Sequence, residues 1–390
     1  MKPHDSSRHQ RTTLAVASAA HGLHDGYTDM IYVLLPVWQA EFAVGYGLLA
    51  LLRGLYAGTM AGLQVTAGSL ARRFGANRVL ALGTMLAAGG YCVAGTSAGV
   101  IGLCIALVLS GAGSSTQHPL ASAAVSRAYG AKARAPIGVY NFGGDVGKAM
   151  LPAAVSLLLT LVPWRHALWL VAGVGFVAAI AFWRLLPSAP VLSQEKKKGY
   201  VTTAGAGHRK SGFPLLFAIG VLDSATRMGF LTFLPFILKD KGASMPVIGL
   251  GLSLVFIGGA AGKFICGWLG ERIGVLWTVL STEGGTAAMI FLVLCLPMLP
   301  SLLVLPLLGL MLNGTSSVLY GTVPELTEED RIEHAFAMFY TGTIGAGAIA
   351  PVLYGVLGDV AGTTWATVAA AVTALATIPL AVVLARRLPN

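Results

Sequence analysis

Gly68-Ser69-Leu70-Ala71-Arg72-Arg73-Phe74-Gly75, followed by Ala76, Asn77 and Arg78, forms a short basic segment between two long apolar runs. At an offset of 199 residues stands Gly267-Trp268-Leu269-Gly270-Glu271-Arg272-Ile273-Gly274, again between apolar runs. The same offset carries Pro36, in Leu34-Leu35-Pro36, onto Pro235, in Phe233-Leu234-Pro235. Two separate anchors share one register, so the chain contains an internal repeat.

Working outward, the 390 residues are 55% hydrophobic and 11% charged, with a mean hydropathy of +0.75. That leaves too few polar residues to cover a water-soluble globule and places the chain in a bilayer. Its apolar runs are each about 20 residues or longer, the length a helix needs to cross roughly 30 Å of hydrocarbon. Strand-type alternation is absent, which argues against an outer-membrane barrel. Twelve spans can be drawn, at 13–38, 47–70, 78–97, 99–122, 136–160, 167–187, 213–237, 246–268, 275–296, 301–322, 335–358 and 363–385. The expected fold is therefore an all-α membrane protein, with twelve transmembrane helices in two six-helix bundles related by a pseudo-twofold repeat. The N-terminal bundle covers 1–187, a basic cytoplasmic linker 188–212 and the C-terminal bundle 213–390.

The net charge of +10 would suggest nucleic acid in a soluble protein, but here its placement reports topology. With the N-terminus inside, only Arg165, Lys239 and Lys241 fall on the far side, and Arg53, Lys148, Arg227 and Lys263 fall within spans. The remaining Lys and Arg residues are cytoplasmic, so the positive-inside rule puts both termini in the cytoplasm. The segment from Met1 to Arg11 leads into a first run too long and too polar at its centre for a cleaved signal peptide. Cysteines 92, 104, 266 and 295 lie inside apolar runs as small hydrophobes, with neither disulfide nor zinc-site spacing.

A charge at the bilayer centre costs at least about 2.5 to 3.5 kcal/mol on insertion scales, so each one demands an explanation. Span 1 holds His21, His24, Asp25 and Asp29, span 2 Arg53, span 5 Asp145 and Lys148, span 7 Asp223 and Arg227, span 8 Lys263 and span 9 Glu283, while His118 sits near the inner end of span 4. Asp145 with Lys148 and Asp223 with Arg227 are spaced as ion pairs on one helix face. Arg53 and Lys263 are each placed where they could snorkel towards a surface. Asp25 is the strongest candidate proton carrier, because it lies at mid-depth beside Gly22 and Gly26 with no Lys or Arg one turn away. Asp145 and Asp223 are further coupling candidates, and Asp223 falls one position from the repeat equivalent of Asp25. His24, Asp29, Arg53, His118, Lys148, Arg227 and Lys263 are the candidate substrate-binding residues. Four cations at membrane depth favour a small anion or zwitterion, since guanidinium binds carboxylate or phosphonate bidentately. An alternative is a divalent-metal carrier using His21, His24 and Asp25, which share a helix face. No Gly-x-x-x-x-Gly-Lys loop is present, so no nucleotide-driven chemistry is expected and a gradient must supply the energy.

The repeated G-x-L-x-x-R-x-G segment resembles the loop between helices 2 and 3, and its echo between helices 8 and 9, in the major facilitator superfamily of secondary transporters. Arg72 stands where that loop usually has an Asp, whereas Glu271 keeps an acid at the equivalent place. His21-x-x-x-Asp25-Gly26 leading to Leu35-Pro36, with Gly113-Ser-Ser-Thr-Gln-His118-Pro119, is similar to the bacterial drug-efflux branch that includes fosmidomycin resistance proteins. The resemblance implies a proton-coupled transporter, not an enzyme, that works by alternating access in the bacterial inner membrane. Its partners would be a small-molecule substrate, protons and the bilayer, with no nucleic acid, no cofactor beyond the proton gradient and a monomeric state. Gly68, Arg72, Arg73, Gly75, Glu271 and Arg272 would form the gating loops. Span 5 carries Gly143-Gly-Asp-Val-Gly-Lys-Ala-Met-Leu-Pro152, with charges where drug antiporters have a glycine-rich motif ending in Gly-Pro, so symport and antiport both stay open.

Overall fold

A computed structural model describes residues 3–186, 212–327 and 331–387. The linker expected over 188–212 lies, apart from Gly212, outside the described residues. Among the described residues the structure is helical throughout and contains no strand. The helices are α1 (Pro3–Phe42), α2 (Tyr46–Gly62), α3 (Gln64–Phe74), α4 (Ala76–Thr96), α5 (Val100–Ser114), α6 (Gln117–Tyr129), α7 (Arg134–Leu158), α8 (Trp164–Leu185), α9 (Phe213–Asp240), α10 (Met245–Cys295), α11 (Met298–Thr322), α12 (Ile332–Ala361) and α13 (Thr363–Ala385).

These thirteen helices carry twelve spans. The helices α2 and α3 meet at a 45° bend and make one span together. A second span is α5 followed by α6, interrupted at Ser115 and Thr116. The 51 residues of α10 supply two. At 1.5 Å per residue an unbroken helix of that length would run about 75 Å, more than twice the hydrocarbon thickness. It breaks at Gly274, whose φ of +81° is open to glycine and costly for any other residue. By length and hydropathy alone eight helices qualify as spans, or nine with the bent pair. Neither α1 nor α7 is among them, and these are the helices that carry the buried acids Asp25, Asp29 and Asp145.

The segment from Gly68 to Gly75 differs from the loop expected there. It is helical through Phe74, and the chain turns at Gly75 alone, with φ of +91° and its N–H donating to the Ala71 carbonyl at 2.9 Å. Leu70, Ala71, Arg72 and Arg73 are all good helix formers, so the helix runs on until a residue without a Cβ permits the left-handed turn. Gly274 makes the corresponding turn at the same offset of 199. The first helix also begins earlier than span 1, at Pro3, and its Gln10 donates to the Ala128 carbonyl at 2.9 Å.

Contacts divide the chain into two units. One is built on Met1–Val44, Leu52–Leu192 and Met245–Ser253, the other on Gly45–Leu51, Ser193–Ser244 and Leu254–Asn390, less the undescribed stretches. Short pieces near residues 45 and 245 thus cluster away from the half to which the sequence assigns them. The first unit is cored by Val16, Ala20, Leu80, Leu120 and Phe182, the second by Leu216, Ile219, Val279, Leu319 and Phe339. Ile101, Leu161, Trp183, Leu303 and Val360 point outward as large exposed apolar side chains, as a lipid-facing surface requires. The repeat is visible in individual hydrogen bonds. In the first unit the Tyr27 hydroxyl donates to the Val171 carbonyl at 2.9 Å; in the second, 199 residues on at both ends, the Thr226 hydroxyl donates to the Ala370 carbonyl at 3.3 Å.

Candidate functional site

In the first unit α1 and α7 pack backbone against backbone. A Cβ at Gly147 would overlap the Gly22 carbonyl oxygen, and one at Gly22 would press on the Gly143 carbonyl, so the seam admits glycine only. This close approach brings α7's Lys148 to α1's Asp25, with Nζ 3.4 Å from Oδ2. His21, one turn before Asp25, puts Nε2 3.2 Å from the same oxygen. His118, at the start of α6, puts Nε2 3.6 Å from Oδ1. Asp25 is 7% exposed, whereas the side chains of His118 and Lys148 are 37% and 31% exposed. A buried carboxylate is therefore faced by basic groups, two of which are themselves partly exposed.

The His21 ring is fixed from the other side. Gln117 donates from Nε2 to the Tyr140 hydroxyl at 3.0 Å, and the Tyr140 ring stacks on His21 with centroids 4.2 Å apart. His21 Nδ1 lies 2.9 Å from the Tyr140 backbone carbonyl. A carbonyl can only accept, so Nδ1 carries the hydrogen. The contact between Nε2 and Asp25 then requires one further proton, either on the ring or on the carboxyl. Lys148 and His118 are the other basic groups that face the carboxylate.

His24 is placed differently from the expectation that set it beside Asp25. Its Nδ1 lies 3.1 Å from the Ser114 hydroxyl and its Nε2 2.9 Å from the Thr84 hydroxyl. Thr84 sends its own hydrogen to the Leu80 carbonyl, and the Tyr56 hydroxyl donates to Ser114 at 2.8 Å. Both ring nitrogens are thereby satisfied within a buried polar network. This corrects the metal-ligand set of His21, His24 and Asp25: the ligand atoms that converge, within 4.8 Å of one another, belong to His21, Asp25 and His118. The Lys148 ammonium already stands against that carboxylate, and a fixed cation there opposes a second one.

The other candidates are dispersed. Arg53 is buried, with its guanidinium 5.1 Å over the Tyr32 ring, rather than snorkelling outward. Asp29 and Asp145 are buried in the first unit. Asp223 is buried in the second with Arg227 beside it, and Lys263 is half-buried in α10. In the turn segments, Arg72 donates to the Ser69 hydroxyl at 2.8 Å, Arg73 lies over the Phe74 ring and Arg272 over the Trp268 ring. Sequence reasoning missed Tyr140 and Gln117. A signal for Tyr140 was present, since Tyr140, Gly144 and Lys148 recur every four residues and share one stripe of α7 with the site.

The family model of the Major Facilitator Superfamily matches residues 17–213 and again 216–390. The chain belongs to the major facilitator superfamily. As a member of it, this is a multi-pass membrane transporter. The chain is 28% identical over 290 residues to the uncharacterized MFS-type transporter YfnC of Bacillus subtilis, covering 72% of this chain and 69% of that one. It is 20% identical over 370 residues to the fosmidomycin resistance protein of Escherichia coli, covering 89% and 86%. Among solved structures, a bacterial homolog of the human lysosomal transporter Spinster in an inward-facing, occupied conformation superposes with a TM-score of 0.82 at 16% identity, covering 99% of this transporter and 98% of that chain. That likeness concerns the fold.

Proposed function

We propose that this transporter couples proton movement to a small anionic or zwitterionic organic solute by alternating access, with Asp25 as the main proton carrier. The observation that carries the reading is the convergence of His21, His118 and Lys148 on one buried carboxylate. While Asp25 is ionised it engages Lys148 and His118, so neither is fully available to another anion. A proton delivered through His21 neutralises the carboxyl and releases both groups, which are partly exposed. A solute carboxylate or phosphonate then takes the place of Asp25 as their counter-ion. Proton and anion therefore favour one another's binding, which is the coupling free energy a gradient-driven carrier needs.

Arg53, Arg227 and Lys263, with Asp29, are proposed to extend the polar lining, while Asp145 and Asp223 are further coupling candidates. Gly68, Arg72, Arg73, Gly75, Glu271 and Arg272 are proposed as the gating segments. We place the transporter in the bacterial cytoplasmic membrane as a monomer with both termini inside, driven by the proton gradient with no other cofactor. The name of the Escherichia coli relative makes fosmidomycin, a phosphonate, a sensible first solute to try.

The test is luminal pH in proteoliposomes loaded with a pH-sensitive dye, while carboxylates and phosphonates including fosmidomycin are added one at a time. A solute-dependent pH change that disappears in Asp25→Asn is expected, with that variant still folded. A response that survives the substitution would contradict the assignment of Asp25.

A further inference from the structure

We infer that Asp223 and Glu283 form a second proton-binding site, two carboxyl groups that hold one proton between them, in the unit that lacks Asp25. Its part in transport rests on the proton-coupled reading above; the proton-holding pair itself does not.

Asp223 on α9 and Glu283 on α10 are 4% and 1% exposed. Their side chains lie within hydrogen-bonding reach of one another. Two carboxylates offer acceptors only, so such a contact needs a hydrogen that one of them supplies. Thr315 of α11 also touches Glu283, but its hydroxyl hydrogen goes to Thr282 at 2.8 Å, and the Thr282 hydrogen goes to the Thr278 carbonyl. Thr315 therefore presents an acceptor to Glu283. Glu283 Oε2 is buried with no hydrogen-bond partner. A bare oxygen in that position is far costlier on a carboxylate than on a neutral acid. Among the described residues, the charged and titratable groups facing the pair are Arg227, one turn along α9 from Asp223, and Tyr320 from α11. α12 contributes the Thr343 carbonyl, which accepts from Ser224. One guanidinium balances one carboxylate, so the second carboxyl is matched as an acid.

The repeat shows that packing does not require these acids. At the offset of 199, Asp223 corresponds to His24, Glu283 to Thr84 and Arg227 to Thr28. The first unit makes the equivalent contact between a ring nitrogen and a hydroxyl, His24 to Thr84, at 2.9 Å. Conversely, Asp25 and Lys148 correspond to Ser224 and Gly347, which lie against each other in the second unit. Asp25 and Asp223 are thus displaced from one another by one position in the repeat.

Infrared spectra of the purified full-length protein in lipid, recorded at stepped pH in H₂O and D₂O, read the carbonyl stretch of protonated carboxylic acids directly. The expected result is an acid band that persists in Asp25→Asn, is lost in Glu283→Gln and is shifted in Asp223→Asn, with nothing further lost in the double variant. Should Glu283→Gln fail to fold, Glu283→Asp keeps the carboxyl and is expected to shift the band. Spectra unchanged in the folded variants, or separate bands lost additively in the two single variants, would overturn the shared proton. A proton-driven flux that is absent while this band is present would sink the transport reading alone, and the reverse pattern would sink the pair alone.

Discussion

Lys148 stands 3.4 Å from a carboxylate oxygen that it must leave before its charge can serve a solute. Its removal should therefore be felt in binding: Lys148→Ala is expected to weaken anion affinity about tenfold or more, roughly 1.4 kcal/mol, in titrations of reconstituted protein. Lys148→Arg, which keeps the charge, should recover part of that loss, and equal affinity in wild type and Lys148→Ala would remove Lys148 from the site. Asp25 could be singled out as a candidate from the sequence because an acid at mid-span has no inexpensive explanation. Its partners were harder to see, since they come from α1, α6 and α7 and are separated by up to 123 positions between Asp25 and Lys148. The spacing that sets His21, His24 and Asp25 on one helical face does not say where each ring turns. Thr84 and Ser114, which claim His24, look in sequence like ordinary small residues of apolar spans.

The seam of Gly22, Gly143 and Gly147 is what lets α1 and α7 bring opposite charges together. Gly147→Val should push α7 off α1 and separate Lys148 from Asp25. Solute-driven proton flux is expected to fall more than tenfold, with a lower melting temperature. Gly173→Val in α8, where a new side chain meets open space, should change neither, and an unaffected Gly147→Val would mean that the seam is not needed. The existence of the helices was legible because each apolar run has the length a bilayer imposes. Their ends were less so. Gly68 to Phe74 mixes basic and apolar helix formers, which fit a polar loop or the final turns of a helix equally well. What distinguishes the two is the sign of φ at Gly75 and Gly274, a backbone property that composition does not carry.

At the scale of the molecule, a twofold repeat has been filled with unlike chemistry. The first unit places Asp25 among His21, His118 and Lys148, and the second places Asp223 against Glu283 and Arg227. The register of the repeat, set by Gly75 with Gly274 and Pro36 with Pro235, was readable from the chain and persists down to matched hydrogen bonds. The use each half makes of that register was not readable, because it depends on which neighbouring helix supplies a partner. The central claim is that a proton on Asp25 and an anion at Lys148 bind together. Its most direct test is the dissociation constant, measured against pH in wild type and Asp25→Asn, for a carboxylate or phosphonate that moves protons in the liposome assay. Protonation frees the cations, so wild-type affinity is predicted to be greatest at low pH and to fall as pH rises. Asp25→Asn, which mimics the neutral acid, should bind tightly with little dependence on pH. A pH dependence that persists in Asp25→Asn, or a wild-type affinity that rises with pH, would contradict the account.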